Sequence, residues 1–408
     1  MKILFLTQIV PFPPDAGPKV KTYHVLRALI DQGHCVTLVA FVRPEEVKHI
    51  PALEKIGVAV HVVQIRRSFL ADVGYLVRSY LTKRPFLIER DDLHAMQVLI
   101  NKLVFEGNFQ FIHADQLTMA QFAVRCASVF PYKKLKVIFD AHNAVWTIIE
   151  QMQEKAHWFL KPVLSIEMKR VKRYEGELLK KVDRVLAVTD VDRGGLEEAL
   201  NFTNVKKEDR VAPITIIPIA VDTQQLQPIK RKPTSKNIVT LGTLHYPPNA
   251  DGIRWFLNGV FPLIQKRVPE ATLTIIGKNP PRDFLDAAAR YPEAIKVTGY
   301  VQELAPYLEQ SALMVVPVRA GGGMRVRILE AFAYAMPVVT TTIGLEGINA
   351  ELGKDVLVAD TETDFANHVS GLLENVSLQE KLSVNGRKLA MTKYDWQVVL
   401  SAMKLIYG

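Results

Sequence analysis

The sequence predicts an α/β fold made of two tandem domains, each built on a doubly wound parallel sheet. Short runs rich in β-branched residues alternate with helical segments through the first half of the chain. The same alternation restarts in the second half, after a segment that is rich in proline and polar residues. The length of 408 residues also suits two domains better than one.

The first half is predicted to begin with the strand KILFLTQIV. This apolar run is short and ends in a proline-rich turn, whereas a signal peptide would end in a small-residue cleavage site. The helix KVKTYHVLRALIDQG follows, and its Gly33 suits a left-handed cap. The later predicted strands of this half are HCVTLVAFV, VAVHVVQI, FQFIHAD, LKVIFDAHN and VDRVLAVTD.

The two halves are joined by the predicted linker ITIIPIAVDTQQLQPIKRKPTSK, so the domains are placed at 1–215 and 216–392. Gly277, Gly299 and Gly321 each follow a strand-like run closely, as turns at the carboxyl ends of parallel strands require. Ligands bind at those ends, and the predicted site is therefore the cleft between the domains. The predicted strands of the second half are NIVTLGT, ATLTIIGK, IKVTGYV, ALMVVPV, PVVTTTI and DVLVA.

The composition argues against a membrane-spanning and a nucleic-acid-binding protein, and it leaves the role of two basic segments open. No apolar run approaches the ~20 residues of a membrane span, and no nucleic-acid-binding signature accompanies the net charge of +9. Cys35 and Cys126 lie in apolar contexts, which predicts core thiols in a reducing, cytoplasmic compartment. Segments 66–90 and 155–184 mix an excess of basic residues with aromatic and aliphatic ones. They fit either helices on an anionic membrane surface or solvated helices whose apolar faces build the core.

The turn from Gly321 to Glu330 carries the strongest indication of chemistry. Three consecutive glycines expose backbone N–H groups, and the helix that follows adds its positive N-terminal end. Arg325 and Arg327 add full charges, and because they are two residues apart only one of them is expected to face the loop. A glutamate one turn later accepts hydrogen bonds from paired hydroxyls. The pattern predicts a site for the diphosphate and ribose of a nucleotide.

The segment PVRAGGGMRVRILEAFAYAMPVVTTTIGLEGI resembles the donor site of retaining glycosyltransferases with the GT-B fold, the family four (group 1) type, in a branch with an R-A-G-G-G-x-R-x-x-I-L-E-A turn. The resemblance implies two Rossmann-like domains about an interdomain cleft, with a C-terminal helix, here within 393–408, that crosses back to the first domain. Other segments resemble the family in the same order: FPPDAGPKVKTYHVLRALIDQGHCVTLV, FDAHNAVW, VLAVTDVDR, IIPIAVDT, LGTLHYPPNADGIRWF and VTGYVQELAPYLEQSALMVVP.

In this family the donor is an NDP-sugar, most often of UDP or GDP, held mainly by the second domain. The resemblance implies that Glu330 binds the ribose hydroxyls. It also implies that the backbone N–H groups of Gly322, Gly323 and Met324 bind the diphosphate. Arg325 would neutralise the diphosphate and is one of two predicted catalytic residues.

The second predicted catalytic residue is His142, which corresponds to the family's histidine that contacts the donor sugar or the acceptor. Gly17 would approach the diphosphate from the first domain. The chain departs from the family where Gly322 replaces the first glutamate of the paired-glutamate motif. The turn after Gly242 also lacks the family's two cations, and Arg327 would supply part of that charge together with its neighbour.

No metal-ligand cluster is predicted. The D-x-D pair of Asp190 and Asp192 fits a helix N-cap after a strand better than a metal site. Neither cofactor nor metal is therefore expected, and the leaving diphosphate would be stabilised by amides, the helix end and arginine.

The predicted function is transfer of a sugar from an NDP-sugar to a hydroxyl acceptor with retention, in the synthesis of a cell-envelope polysaccharide or glycolipid. The acceptor is expected to be a saccharide or a lipid-linked intermediate at the inner face of the membrane, because of the two basic and aromatic segments. Two alternatives stay open: a nucleotide-sugar epimerase of the same architecture, and a nucleotide-sugar-binding protein without catalysis. Nucleic acid is not expected as a partner.

Overall fold

The computed structural model describes residues 1–14, 17–206 and 208–407 of the chain. The chain divides into two compact units. One comprises Met1–Ile219 together with the segment from Val399 onward, and the other comprises Ala220–Val398.

The first unit is built on a seven-stranded parallel sheet with the strand order β3-β2-β1-β4-β5-β6-β7. Its strands are β1 (Lys2–Thr7), β2 (Cys35–Val42), β3 (Ala59–Gln64), β4 (Phe111–Asp115), β5 (Lys136–Ala141), β6 (Arg184–Ala187) and β7 (Ile214–Ile216). Its helices up to residue 219 are α1 (Gly17–Asp31), α2 (Ile50–Glu54), α3 (Phe69–Thr82), α4 (Phe86–Asp91), α5 (His94–Glu106), α6 (Leu117–Val129), α7 (Val145–Lys155), α8 (Lys161–Leu179) and α9 (Asp190–Asn201), with 3₁₀ turns at Pro44–His49 and Pro131–Lys133.

The six strands predicted in the first half are confirmed, and the structure adds a seventh. β1 lies at the centre of the sheet between β2 and β4 and is buried, as a strand covered on both faces must be. β7 lies at the start of the segment that was predicted to be a linker. The linker prediction was therefore wrong for these first residues. The strand is only three residues long and pairs through Ile214 with Val185 of β6, a partner that its own sequence does not indicate.

The core of the first unit lies between the sheet and the helices that cover it. Phe41 of β2 meets Phe122 of α6 edge to face, with ring centroids 6.4 Å apart. Phe139 of β5 and Trp146 of α7 are buried in the same cluster. Aromatic and β-branched side chains on a pleated surface are the residues that favour such strands.

The second unit is built on a six-stranded parallel sheet with the order β10-β9-β8-β11-β12-β13. Its strands are β8 (Asn237–Leu241), β9 (Thr272–Ile276), β10 (Ile295–Gly299), β11 (Ser311–Val316), β12 (Val338–Thr340) and β13 (Leu357–Val358). Its helices are α10 (Pro247–Trp255), α11 (Phe261–Arg267), α12 (Arg282–Arg290), α13 (Ala305–Glu309), α14 (Val326–Ala333), α15 (Glu362–Glu374) and α16 (Val376–Leu389), with π-helical turns at Phe256–Val260 and Ala390–Tyr394.

All six strands predicted in the second half are confirmed. Gly277 directly follows β9, Gly299 ends β10, and Gly321 lies in the turn after β11, as the sequence predicts. α15 begins where the side chain of Thr361 accepts a hydrogen bond from the backbone N–H of Asp364, which satisfies one of the free donors of the first helical turn. The core of this unit is aromatic at its centre, where Phe256 and Phe365 meet edge to face at 5.7 Å.

The C-terminal residues form two short helices, α17 (Trp396–Leu400) and α18 (Met403–Tyr407), rather than the single helix predicted for this region. The hydroxyl of Tyr407, buried in the first unit, lies 2.5 Å from Nδ1 of His113 on β4. The tail contributes four buried side chains: Trp396, Val399, Met403 and Ile406.

The predictions about the two cysteines and about membrane-spanning segments can be compared with the structure. Cys126 is buried on α6, as predicted, whereas Cys35 is exposed at the first position of β2, where the strand meets solvent. In the described part of the chain, no helix has both the length and the apolar character needed to cross a bilayer.

Candidate functional site

The predicted nucleotide turn connects β11 to α14 in the second unit. Gly321 and Gly323 have φ values of +91° and +88°, in the left-handed region that other L-residues rarely adopt. These two positions therefore require glycine. The turn delivers the chain to the N-terminus of α14 at the carboxyl end of β11, which is where parallel α/β sheets bind ligands.

Arg325 holds this turn together from one side. Its Nη1 atom donates to the carbonyl oxygens of Gly322 and Gly323 at 2.7 and 2.6 Å, and Nη2 donates to that of Gly321 at 2.5 Å. Burial lowers the pKa of Arg325, although Glu346 opposes this effect. The guanidinium thus fixes the backbone of the turn, and its predicted direct contact with a diphosphate stays a prediction.

The other side of the turn offers hydrogen-bond donors. Among the residues that the structure describes, the backbone N–H groups of Gly322, Gly323 and Met324 donate no hydrogen bond. The carbonyl groups point to Arg325, and the N–H groups are left for another acceptor. Successive free N–H groups beside a helix N-terminus form an anion-binding concavity.

Arg327 turns away from the glycines and into the second unit, as the two-residue spacing predicts. Its Nη1 atom donates to the carbonyl oxygen of Leu241 at 2.7 Å, and Nη2 donates to Oδ1 of Asn249 at 2.6 Å. Burial and the nearby Arg325 lower the pKa of Arg327 to about 10, against the attraction of Glu330. Arg327 therefore ties α14 to the end of β8 and to α10, and its predicted role in donor binding stays a prediction.

Glu330 lies on α14, about one turn from the start of the helix, and is partly buried. Within residues 1–14, 17–206 and 208–407, no group donates a hydrogen bond to its carboxylate. Burial raises the pKa of Glu330, and Arg327 partly offsets this. A desolvated carboxylate without a donor is costly unless a ligand supplies one, which fits the predicted role on ribose hydroxyls.

The second predicted catalytic residue lies in the first unit, at the end of β5. Nε2 of His142 lies 2.7 Å from Oδ1 of Asp115, the last residue of β4, and both are buried. Oδ2 of Asp115 accepts hydrogen bonds from the hydroxyls of Thr7 at 2.7 Å and Thr22 at 2.9 Å. Asp115 is not among the site residues predicted from the sequence, although an acid at the carboxyl end of the strand FQFIHAD was a signal for it.

A second buried acid stands beside this pair. His113, Asp115 and Asp140 bring ligand atoms within 4.8 Å of one another, a cluster that the sequence does not predict. The ammonium of Lys21 contacts Asp140, and His142 contacts Asp115, so the negative charges already have cationic or donor partners. Burial opposes the ionisation of Asp140, but Lys21 and the two histidines outweigh it and lower its pKa. We interpret the cluster as an ion-pair network.

Glu175 of α8, also missed at the level of sequence, supports the segment after His142. Its carboxylate accepts hydrogen bonds from the backbone N–H groups of Val145 at 2.7 Å and Trp146 at 3.1 Å, at the start of α7. Burial raises the pKa of Glu175 to about 8 despite these two donors, and Asp192 adds to the rise. The signal for this helix cap was absent from the sequence because the carboxylate is supplied from 30 residues away.

Two further sequence-level expectations are refined. The N-cap of α9 is Thr189, whose hydroxyl accepts from the N–H of Asp192 at 3.0 Å, so Asp190 and Asp192 lie in the first turn rather than at the cap. Gly17 begins α1. Its predicted contact with a diphosphate stays a prediction.

Two models of known protein families match this chain and show which family it belongs to. The family model described as "Glycosyltransferase Family 4" matches residues 17–225, and that described as "Glycosyl transferases group 1" matches residues 235–375. The first match alone spans half of the chain. The chain belongs to glycosyltransferase family 4.

Individual relatives of this glycosyltransferase are distant. An uncharacterized 44.6 kDa protein in the cps region of Klebsiella pneumoniae is 28% identical over 173 residues, which cover 41% of this chain and only 45% of that protein's own length. The MMP α-(1→4)-mannosyltransferase of Mycolicibacterium hassiacum is 22% identical over 325 residues, covering 77% of this chain and 73% of the mannosyltransferase.

Solved structures show the same fold. HepE from Anabaena, solved in complex with UDP, has a TM-score of 0.70 at 13% identity, with 100% of this chain and 99% of HepE covered. The parallel seven-stranded and six-stranded sheets of this glycosyltransferase are those of the GT-B fold, which confirms the predicted fold class.

Proposed function

We propose that this glycosyltransferase moves a sugar from an NDP-sugar to a hydroxyl acceptor with retention of anomeric configuration. The observation that carries the proposal is the turn between β11 and α14. It combines unpaired N–H groups at Gly322, Gly323 and Met324 with a carboxylate without a donor at Glu330, about one turn from the start of α14. N–H groups suit a diphosphate, and the carboxylate suits the paired hydroxyls of a ribose.

The donor is proposed to be a UDP- or GDP-sugar. HepE, which shares the fold, has been solved with UDP and with UDP-glucose, and this supports a uridine nucleotide. The mannosyltransferase relative shows that sugar transfer occurs among proteins similar to this chain. Gly17 and Arg327 are proposed as further donor-site residues, Gly17 by its position at the start of α1 and Arg327 by its charge beside Glu330.

In the proposed reaction, the bond between the anomeric carbon and the diphosphate oxygen breaks, and the acceptor oxygen bonds to the same face of that carbon. The proton of the acceptor hydroxyl passes to the departing diphosphate. The N–H groups of the turn and the N-terminus of α14 stabilise the charge that develops on the diphosphate. Arg325 holds the carbonyl groups of the turn and adds a positive charge to it, so no metal is required by this scheme.

His142 is proposed to contact the transferred sugar or the acceptor. Its Nε2 atom is held by Asp115, so Nδ1 is the ring nitrogen left to meet a substrate. The acceptor is proposed to be a saccharide or a lipid-linked intermediate of cell-envelope synthesis, reached by an enzyme that works on the cytoplasmic side of the membrane.

The proposal is tested by thermal unfolding in the presence of UDP, GDP, ADP, CMP and their common sugar conjugates. A ligand at ~100 times its Kd adds about 2.7 kcal/mol, a clear shift in Tm. We expect one nucleotide to stabilise the wild type and not Glu330→Ala, while the control Glu303→Ala, at an exposed position of the same unit, responds as the wild type does.

Turnover separates an enzyme from a binding protein. Slow hydrolysis of the stabilising NDP-sugar by water is expected from an active transferase. Binding without any hydrolysis or transfer would contradict the proposed activity, and no Tm shift with any nucleotide would contradict the proposed donor site.

A further inference from the structure

Helix α3 has its polar side turned inward and its apolar side turned outward. Ser79 is buried, and Asp72 and Tyr75 are half-buried along the same side of the helix. The opposite side is exposed and apolar, with Phe69 81% and Leu70 82% exposed. The exposed apolar residues of this helix, the α3 face, are Phe69, Leu70, Val73, Leu76, Val77, Tyr80 and Leu81.

This orientation decides between the two interpretations of segment 66–90. A solvated helix that builds the core would bury its apolar residues and expose its polar ones. α3 does the reverse, although it is a complete helix capped by Ser68, whose side chain accepts from the N–H of Ala71. The core interpretation is therefore wrong for α3, whereas it holds for α4 in the same segment, where Ile88 is buried in the core of the first unit.

A second exposed apolar surface lies at the start of α8. The side chain of Trp158 is 83% exposed in the connection from α7 to α8. The exposed apolar residues here, the α8 tip, are Trp158, Phe159, Leu160, Val163 and Ile166. The later part of α8 does build the core through Val171, Leu178 and Leu179, so the core interpretation holds for that part of segment 155–184.

The two surfaces belong to neighbouring helices. Nη1 of Arg170 on α8 lies 3.4 Å from Oγ of Ser79 on α3, and Oε1 of Glu167 accepts from the backbone N–H of Phe86 at 2.6 Å. The ring of Trp158 meets that of Phe159 edge to face, which holds two large aromatic groups at the α8 tip.

Cations without partners flank both surfaces. The side chains are exposed, and none has an ion-pair partner in the part of the chain that the structure describes: Arg66 and Lys83 at the two ends of α3, and Lys161 and Lys169 on α8. The other basic residues of α3 and its flanks are neutralised within the protein, as Arg78 is by Glu89 at 2.8 Å. The free charge therefore accompanies the exposed apolar residues.

We propose that the α3 face and the α8 tip form one docking surface for an anionic lipid bilayer. Apolar and aromatic side chains would enter the boundary between headgroups and acyl chains, and the four cations would contact lipid phosphates. Trp158 and Tyr80 are the residue types that favour this boundary, because each has an apolar body and a polar tip.

A lipid surface fits this chemistry better than a second copy of the chain does. In a twofold dimer the same patch meets itself, so the four free cations of one copy would face a surface that carries the same excess of positive charge. An anionic bilayer supplies the missing negative charge over the whole surface. The inference goes beyond the transfer reaction and does not depend on the donor site.

The inference is tested by co-sedimentation of the full-length protein with vesicles of phosphatidylcholine alone or with about a third phosphatidylglycerol, at low and high salt. We expect binding to the anionic vesicles, little binding to the neutral ones, and loss of binding at high salt, because screening weakens contacts with headgroups. Leu70→Glu should weaken binding about tenfold or more, since it replaces an inserting side chain by a repelled charge.

The matched control is Leu405→Glu, because Leu405 is the same residue type with the same exposed fraction of 82%, on α18 of the same unit. It should bind vesicles as the wild type does. Equal loss in both variants, or no binding to anionic vesicles at low salt, would overturn the proposal. The proposal would also be overturned if light scattering without lipid showed that the protein self-associates and that Leu70→Glu abolishes this self-association. A second copy of the chain would then cover the surface.

Discussion

Nε2 of His142 lies 2.7 Å from Oδ1 of Asp115, so the last residue of β4 orients the imidazole that follows β5. We expect Asp115→Asn to lower kcat for sugar transfer by about a hundredfold, the cost of a misplaced catalytic group. The affinity for the nucleotide should change little, because the predicted nucleotide contacts other than Gly17 lie on the other unit. Steady-state kinetics and calorimetry measure the two quantities, with the exposed Asp190→Asn as the control. A normal kcat would contradict the role of Asp115.

Glu330→Gln tests the ribose contact. Hydrogen bonds to a charged acceptor contribute about 1.5–3 kcal/mol, so the Kd for the donor nucleotide should rise by roughly ten- to a hundredfold. Because burial raises the pKa of Glu330, acidification should weaken nucleotide binding to the wild type at a higher pH than it would for an ordinary glutamate. The variant should lack this pH dependence. Calorimetric titration across the acidic range checks both, and a pH-independent Kd in the wild type would argue against the contact.

Arg325 should affect turnover through the shape of the glycine turn as well as through its charge. Removing one donor to a developing oxyanion costs about 3 kcal/mol, so Arg325→Ala should lower kcat by roughly a hundredfold. Arg325→Lys retains the charge but lacks the fork that reaches three carbonyl oxygens at once, and it should restore kcat only in part. Wild-type turnover by Arg325→Ala would contradict both functions.

Gly242→Ala should destabilise the second unit. A Cβ atom there would come within 2.4 Å of Nη1 of Arg327, whose guanidinium is held by hydrogen bonds to Leu241 and Asn249 that a shift would break. We expect a loss of about 1–3 kcal/mol, typical of overpacking, in urea-induced unfolding. Gly371→Ala is the matched control, because no atom lies within 4 Å of the added Cβ on α15; it should be neutral or stabilising by about 0.5–1 kcal/mol.

Glu175 should make the first unit less stable as the pH rises. Its pKa is about 8 in the folded protein and close to the ordinary 4.5 in the unfolded chain, so the folded state binds this proton more tightly. The corresponding stability is complete below the unfolded value and is lost as the pH rises through the folded value. The urea midpoint of the wild type should therefore fall between about pH 5 and about pH 9, and Glu175→Gln should reduce this fall. Identical pH profiles for the two proteins would contradict the raised pKa.

The sequence by itself determined most of the two sheets and the place of the glycine turn. Runs such as KILFLT and SALMVV predict buried parallel strands from a few neighbouring residues, because a strand covered on both faces needs a continuous apolar run. Gly321 and Gly323 predict the turn in the same way, since a left-handed backbone conformation excludes most other residues.

Tertiary structure alone decided the partners of the charged side chains. Arg327 donates to Leu241, which is 86 residues away in the chain, and Asp115 holds His142 from a neighbouring strand. No local pattern specifies such pairs, because they arise only when the sheet sets strand ends side by side. The outward apolar face of α3 is decided in the same way, since a helical pattern shows that two faces differ and does not show which of them the rest of the fold covers.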